Sequence, residues 1–222
     1  MGRRWGQGTE YRQNGSKIFE GIFEDDLLRE GIIFSYQNKA TYAGTFNKSM
    51  RLDGIGVKFS HDGKKQYVGR FSNGLYHGRG EVFDATGENL RFRGEFEDGK
   101  IKGHGIRYHK NGEKSHEGEW DNNQLNGFAT AWYNTGEVKY EGMWMHNRME
   151  GHGTFYFLKE EEKYVGTFEN NEMSGFGTIY STSGNSEVKV YEGQFLKGKR
   201  HGEGTLFKDG QEIKGSWLDG QQ

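Results

Sequence analysis

The 222-residue chain contains no cysteine and no proline. Without cysteine there is no disulfide framework, no thiolate nucleophile and no thiolate metal site, which fits a reducing compartment. Without proline, the 37 glycines belong neither to collagen nor to a proline-rich linker. Apolar residues are scarce as well, at 32% with a mean hydropathy of -0.99, too few for a thick conventional core. No stretch approaches the ~18 consecutive apolar residues of a membrane-spanning helix, and the opening MGRRWGQGTEYRQNG lacks the apolar region of a secretion signal. Excess charge of one sign is missing too: 30 basic residues against 32 acidic give a net charge of -2, so no global field draws the protein onto nucleic acid or anionic lipid. A soluble, cytoplasmic protein is expected.

Aromatic residues are abundant, at 15%, and argue for order, because disordered chains are poor in them. The stretch YVGRFSNGLYHGRGEVFDATGENLR (Tyr67 to Arg91) is one copy of a repeat. Copies begin at Phe19, Tyr42, Tyr67, Phe92, His116, Tyr140, Tyr164 and Tyr191; two residues on stands Gly, and four residues on stands Phe or Trp (Phe23, Phe46, Phe71, Phe96, Trp120, Trp144, Phe168, Phe195). Aromatic, Gly and aromatic at a period of two put all three on one face of a strand. The position seven residues on is mostly Gly or Asn, as in Asn73-Gly74 and Asp98-Gly99, the signature of a tight hairpin turn.

A second strand carries GxG, as in Gly78/Gly80 and Gly202/Gly204. Copy six has Gly127 and Ala129, and the copy starting at Phe19 reads as Gly31 and Ile33. Three residues beyond the box is an aromatic (Tyr36, Phe59, Phe83, Tyr108, Trp132, Tyr156, Tyr180, Phe207), and a polar, often Gly-containing turn leads to the next copy. Each copy is therefore one β-hairpin. Residues 1–18 read as a half-copy (Gly6, Gly8, Tyr11, Asn14-Gly15) and residues 214–222 as another (Gly215, Trp217, Asp219-Gly220). Repeats fill the chain and leave no room for a separate catalytic domain. A hairpin is marginal alone, so stacked neighbours must supply the stability. Glycine in the strands is explained if each faces a ring in the adjoining strand, which then lies flat on bare backbone.

The boxes are not phosphate loops, since such a loop needs a helix after it. No GxSxG, HExxH or EF-hand pattern occurs. Repeat-related His residues fall roughly 10 Å apart, too far to share one ion. Glu20, Glu117, Glu141 and Glu192 recur beside the strand glycines and read as a solvated row paired with Lys and Arg. Catalytic residues, metal ligands and cofactors are all expected to be none.

The segments YEGMWMHNRMEGHGTFYF (Tyr140 to Phe157) and YEGQFLKGKRHGEGTLF (Tyr191 to Phe207) resemble the MORN (membrane occupation and recognition nexus) repeat, and the resemblance covers the whole sequence. It departs at His116, Ala129, Ile33 and the charged Lys159 to Lys163. The resemblance implies an all-β fold: one elongated antiparallel meander of hairpins, twisted or curved, with an aromatic groove. It also implies a non-enzymatic scaffold that binds a helical or extended protein segment, with Tyr67, Phe71, Phe92, Phe96, Trp120, Trp132, Tyr140, Trp144, Tyr164, Phe168, Tyr191 and Phe195 as binding rings. Small all-repeat members resemble components of cilia and flagella, such as radial-spoke heads in the axoneme, so a cytoskeletal or axonemal protein partner is expected. The alternatives are phosphoinositide or membrane tethering through Lys197, Lys199 and Arg200, and a regulatory module of a larger enzyme complex. The terminal strand starting at Lys214 is expected to offer an edge for homodimerisation or docking.

Overall fold

The computed structural model describes residues 2–184 and 186–221. Met1 and Gln222, the outer limits of the expected array, lie outside the described residues, as does Asn185. The fold is all-β and antiparallel, in two compact units, Met1–Gly112 and Glu113–Gln222. Unit 1 holds β1 (Gly6–Tyr11), β2 (Lys17–Glu24), β3 (Leu27–Phe34), β4 (Ala40–Phe46), β5 (Leu52–Phe59), β6 (Lys65–Ser72), β7 (Leu75–Phe83), β8 (Leu90–Glu97) and β9 (Lys100–Tyr108). Unit 2 holds β10 (Lys114–Asp121), β11 (Gln124–Trp132), β12 (Val138–Met145), β13 (Arg148–Phe157), β14 (Glu162–Glu169), β15 (Glu172–Ser181), β16 (Val188–Leu196), β17 (Lys199–Lys208) and β18 (Gln211–Trp217). Within each unit every strand pairs antiparallel with the next, which is the meander that the repeat implied.

The hairpin turns follow from side chains that tolerate positive φ. Asn73 and Gly74 have φ of 50° and 83°, and Asn170 and Asn171 have 51° and 73°, so both central residues adopt the left-handed conformation that matches strand twist. These turns also stitch neighbouring hairpins. Asn147 donates its N–H to the Leu125 carbonyl (3.1 Å) while its Oδ1 accepts from the Leu125 N–H (2.9 Å). Asn171 does the same with Met149, at 3.0 and 2.8 Å.

Glycine faces glycine, not a ring. In unit 1 the cross-strand row runs Gly8, Gly21, Gly31, Gly44, Gly56, Gly69, Gly80, Gly94 and Gly105. In unit 2 it runs Gly118, Ala129, Gly142, Gly153, Gly166, Gly177, Gly193, Gly204 and Gly215. This register corrects the reading of the copy that starts at Phe19. Gly31 lies between Gly21 and Gly44, so it is the second box position, and Arg29 rather than a glycine occupies the first. The aromatic that closes the second strand is accordingly Phe34, opposite Ala40, and Tyr36 sits exposed in the following turn.

In the hairpins that start at Tyr67, Phe92, Tyr140, Tyr164 and Tyr191, the ring that covers the glycine pair comes from the same hairpin, two residues before the first glycine. Tyr67 lies along its own strand over Gly69 and Gly80 and donates its hydroxyl to the Arg70 carbonyl at 2.9 Å. Tyr140, Tyr164 and Tyr191 repeat this on Met143, Thr167 and Gln194. All four tyrosines are fully buried. Burial raises their hydroxyl pKa values, that of Tyr164 to about 12, because the anion would lose its water. They therefore remain hydrogen-bond donors.

Edge-to-face contacts then link the rings along the sheet. In unit 2 Trp144, Tyr140, Phe168, Tyr164, Phe195, Tyr191 and Trp217 form one chain with centroid separations of 4.8 to 5.3 Å. In unit 1 the chain is Phe71, Tyr67, Phe96 and Phe92. Aromatic self-packing thus provides the core that a low apolar content could not fill conventionally.

Candidate binding surface

The rings expected to line an open groove are the core itself. Tyr67, Phe71, Phe92, Phe96, Trp120, Tyr140, Trp144, Tyr164, Phe168, Tyr191 and Phe195 are all buried, with Trp144 the most exposed at 8%. Trp132 is half-buried, with the Lys114 ammonium 5.5 Å from its ring centroid. The physical reason lies in the glycine row. A bare backbone lets the leading rings Tyr67, Phe92, Tyr140, Tyr164 and Tyr191 lie down, so each closes over its own hairpin instead of standing out as a wall.

Two departures in copy six explain one another. Ala129 stands in the glycine row opposite Gly118 and Gly142, and the leading residue of its hairpin is His116, not Tyr. The space that a tyrosine hydroxyl occupies over Gly153 in the next copy is left for the Ala129 methyl, which is buried. Trp144 lies 5.5 Å from the His116 ring, and its indole N–H donates to the Ala129 carbonyl at 3.1 Å.

What reaches solvent is on the opposite face. There the residue between the two box positions points away from the core, by the alternation of a strand. In unit 2 these residues include Phe128 and Phe176, 60% and 61% exposed, with His152 between them. Exposed Met143 and Val165 are nearby on β12 and β14. Phe128, His152, Val165 and Phe176, with Glu141 as the one carboxylate, border a trough of about 560 Å³ whose lining includes Gly142, Gly153, Gly166 and Gly177. Unit 1 has a trough of about 610 Å³ over Gly69, Gly80 and Gly94, but its borders are charged: Arg79, Glu81, Arg93, Glu95 and His104. Arg93 pairs with Glu81 at 2.8 Å. Glycine thus serves two faces at once, receiving a ring on one and leaving a bare floor on the other.

In both units a lysine recurs over the aromatic that closes the second strand. Lys17, Lys65, Lys114, Lys163 and Lys189 sit 4.8 to 5.8 Å over Phe34, Phe83, Trp132, Tyr180 and Phe207, each pair within one hairpin. Lys17, Lys114 and Lys189 also pair with Glu20, Glu117 and Glu192 at 2.6 to 3.0 Å, while Glu141 accepts from the Tyr156 hydroxyl at 3.1 Å. The short basic cluster is divided: Lys197 and Lys199 are exposed, whereas the Arg200 guanidinium lies 4.8 Å over the Tyr191 ring. Among the described residues no group of three or more His, Asp or Glu is placed to hold a metal ion.

Sequence reasoning passed over Phe128 and Phe176, although a signal was present. Most boxes carry a polar residue between their two positions, as in Gly78-Arg79-Gly80 and Gly202-Glu203-Gly204. Gly127-Phe128-Ala129 and Gly175-Phe176-Gly177 place phenylalanine where alternation demands solvent.

Against curated proteins the chain finds no significant match. The MORN repeat matches seven stretches, residues 1–17, 67–87, 92–114, 116–138, 140–157, 164–186 and 191–212. The two hairpins between residues 19 and 66 fall outside these stretches yet keep the glycine row in register. With well over half of its length matched and each matched stretch from Tyr67 onward built as a hairpin on the glycine row of its unit, the chain belongs to the MORN repeat family.

Proposed function

We propose that this protein is a non-enzymatic scaffold or adaptor that holds a helical segment of a partner protein across the glycine-floored trough of unit 2. The observation that carries this reading is the exposure of Phe128, Met143, Val165 and Phe176 around bare backbone, on a face where an isolated sheet would present polar residues. Adjacent strands lie about 4.8 Å apart, so each hairpin advances about 9.6 Å. A helix advances about 10.5 Å per seven residues. Laid across the strands, it brings one apolar residue of each heptad to each hairpin, and the absence of Cβ atoms beneath lets it approach closely. A cytoskeletal or ciliary setting draws on the resemblance to small all-repeat family members alone.

A phosphoinositide-binding role draws less support, because Arg200 is committed to the Tyr191 ring and two lysines near an anionic surface contribute only about 1 kcal/mol each. The decisive experiment is quantitative affinity purification with Phe128→Ser/Phe176→Ser. Both rings are exposed, so the fold should survive, and recovery of the partner retained by the unaltered protein should fall at least about tenfold, the loss of one or two anchors. Unchanged recovery in the folded double variant would remove the trough from consideration, and pelleting with anionic vesicles that depends on Lys197 and Lys199 would favour tethering.

A further inference from the structure

On the ring side of unit 1, where the core tyrosines lie, a pocket of about 540 Å³ opens beside Tyr42, bordered by Phe46, Leu52, Leu75, Arg51 and Asn73. It exists because the copy that starts at Tyr42 departs from the pattern. Leu52 reaches over the Gly44 and Gly56 pair, the place that Tyr67 takes in the next hairpin, and Tyr42 is displaced outward to 36% exposure. The volume is that of a ligand site, and the wall is mostly apolar, with a few polar groups.

Those polar groups are of one kind. Arg51 is exposed, and its guanidinium has no ion pair or hydrogen bond among the described residues. The Tyr42 hydroxyl makes none either. Asn73 accepts from Asn47 through Oδ1 at 2.9 Å, leaving its amide N–H groups to donate. No acidic residue lines the pocket. Unsatisfied donors beside an apolar wall, with no competing carboxylate, suit a ligand that is acceptor-only at one end and apolar next to it.

We propose that this pocket captures the C-terminal carboxylate of a partner polypeptide whose last residue is apolar. Arg51 and Asn73 would hold the carboxylate, and Phe46, Leu52 and Leu75 the side chain. A polypeptide terminus is preferred to a fatty acid because the apolar residues Phe46, Leu52 and Leu75 are interspersed with the donors of Arg51, Asn73 and Tyr42, and a peptide brings backbone carbonyls beside its carboxylate and side chain where an alkyl tail brings no acceptor. The site lies in unit 1 and the trough in unit 2, with no residue in common, so it stands independently of the adaptor reading.

The test titrates N-acetyl-Gly-Gly-Leu as free acid, its C-terminal amide, and dodecanoate into the full chain, followed by NMR. The free acid should shift the resonances of Tyr42, Met50 and Leu75 saturably. The amide should bind at least about tenfold more weakly, and Arg51→Gln should lose about tenfold with the remaining spectrum unchanged, as expected for one charge-assisted contact. Because Arg51 is exposed, that variant should fold; Leu75→Asp, also at an exposed position, provides a second disruption. Equal binding of acid and amide, undiminished binding by folded Arg51→Gln and Leu75→Asp, or no saturable shift would overturn the proposal. Binding of dodecanoate without the peptide would overturn the polypeptide as its source.

Discussion

The hairpins that begin at Tyr42 and Tyr67 carry the same aromatic, glycine and aromatic at the same spacing, and their leading rings end in opposite surroundings. Tyr67 is fully buried, hydrogen-bonded to the Arg70 carbonyl and stacked on Tyr76 at 3.8 Å. Tyr42 stands at the surface. The difference arises on the opposing strand. Phe71 faces Tyr76, whereas Phe46 faces Leu52 across a turn one residue longer, in which Met50 takes φ of 58°. A leucine is short enough to bend onto the glycine pair and displace the tyrosine; Tyr76 is too long and instead caps Tyr67 from above. A repeat motif therefore assigns a residue to a face of the sheet, but the residue across from it decides whether that residue enters the core.

The largest test of this contrast removes the rings. Tyr67→Ala should cost about 3–5 kcal/mol, as for other buried aromatics, whereas Tyr42→Ala should stay within about 0.5 kcal/mol, as at ordinary surface positions. Urea unfolding of both variants measures this, and similar losses would show that Tyr42 is part of the core in solution. A smaller effect comes from filling the glycine row. A Cβ on Gly80 would fall 2.5 Å from Cε2 of Tyr67 and closer still to its hydroxyl, so Gly80→Ala should reach the upper part of the about 1–3 kcal/mol range of overpacking. At Gly56 the same atom meets the Ala43 carbonyl at 2.8 Å and a Leu52 methyl at 3.0 Å, milder overlaps than those at Gly80, and Gly56→Ala should lie in the lower part. If the ring is the obstacle, the cost of Gly80→Ala should largely vanish in a Tyr67→Ala background, since contacting residues couple. The smallest expected effect concerns one hydroxyl: Tyr67→Phe should lose about 1 kcal/mol for its hydrogen bond, and Tyr42→Phe should be indistinguishable from the unaltered protein in its thermal midpoint.

Much of the architecture was legible in the sequence because β-structure has a period of two and tight turns demand specific residues. Asn73-Gly74 and Asp98-Gly99 place their turns without reference to the rest of the chain, and each adopts positive φ at both residues. Register in the hairpin starting at Phe19 was not legible. Gly31 and Ile33 satisfied the box spacing, and only pairing with Gly21 and Gly44 shows that Gly31 is the second position. The candidate surface was legible in part. A phenylalanine between two box positions breaks the polar habit of that site, yet it gains meaning only once the more numerous aromatics are known to be consumed by the core.

Local sequence is enough for the hairpins, their number and the face on which the leading rings lie, because these depend on local backbone preferences and strict alternation. Only the folded sheet shows that glycine lies against glycine, that Tyr67 is buried while Tyr42 is not, and that Phe128 and Phe176 stay exposed on the face opposite the rings. Those outcomes depend on which side chain from a neighbouring strand reaches bare backbone first, and that competition is settled by volume and reach across the sheet, quantities that no single strand carries.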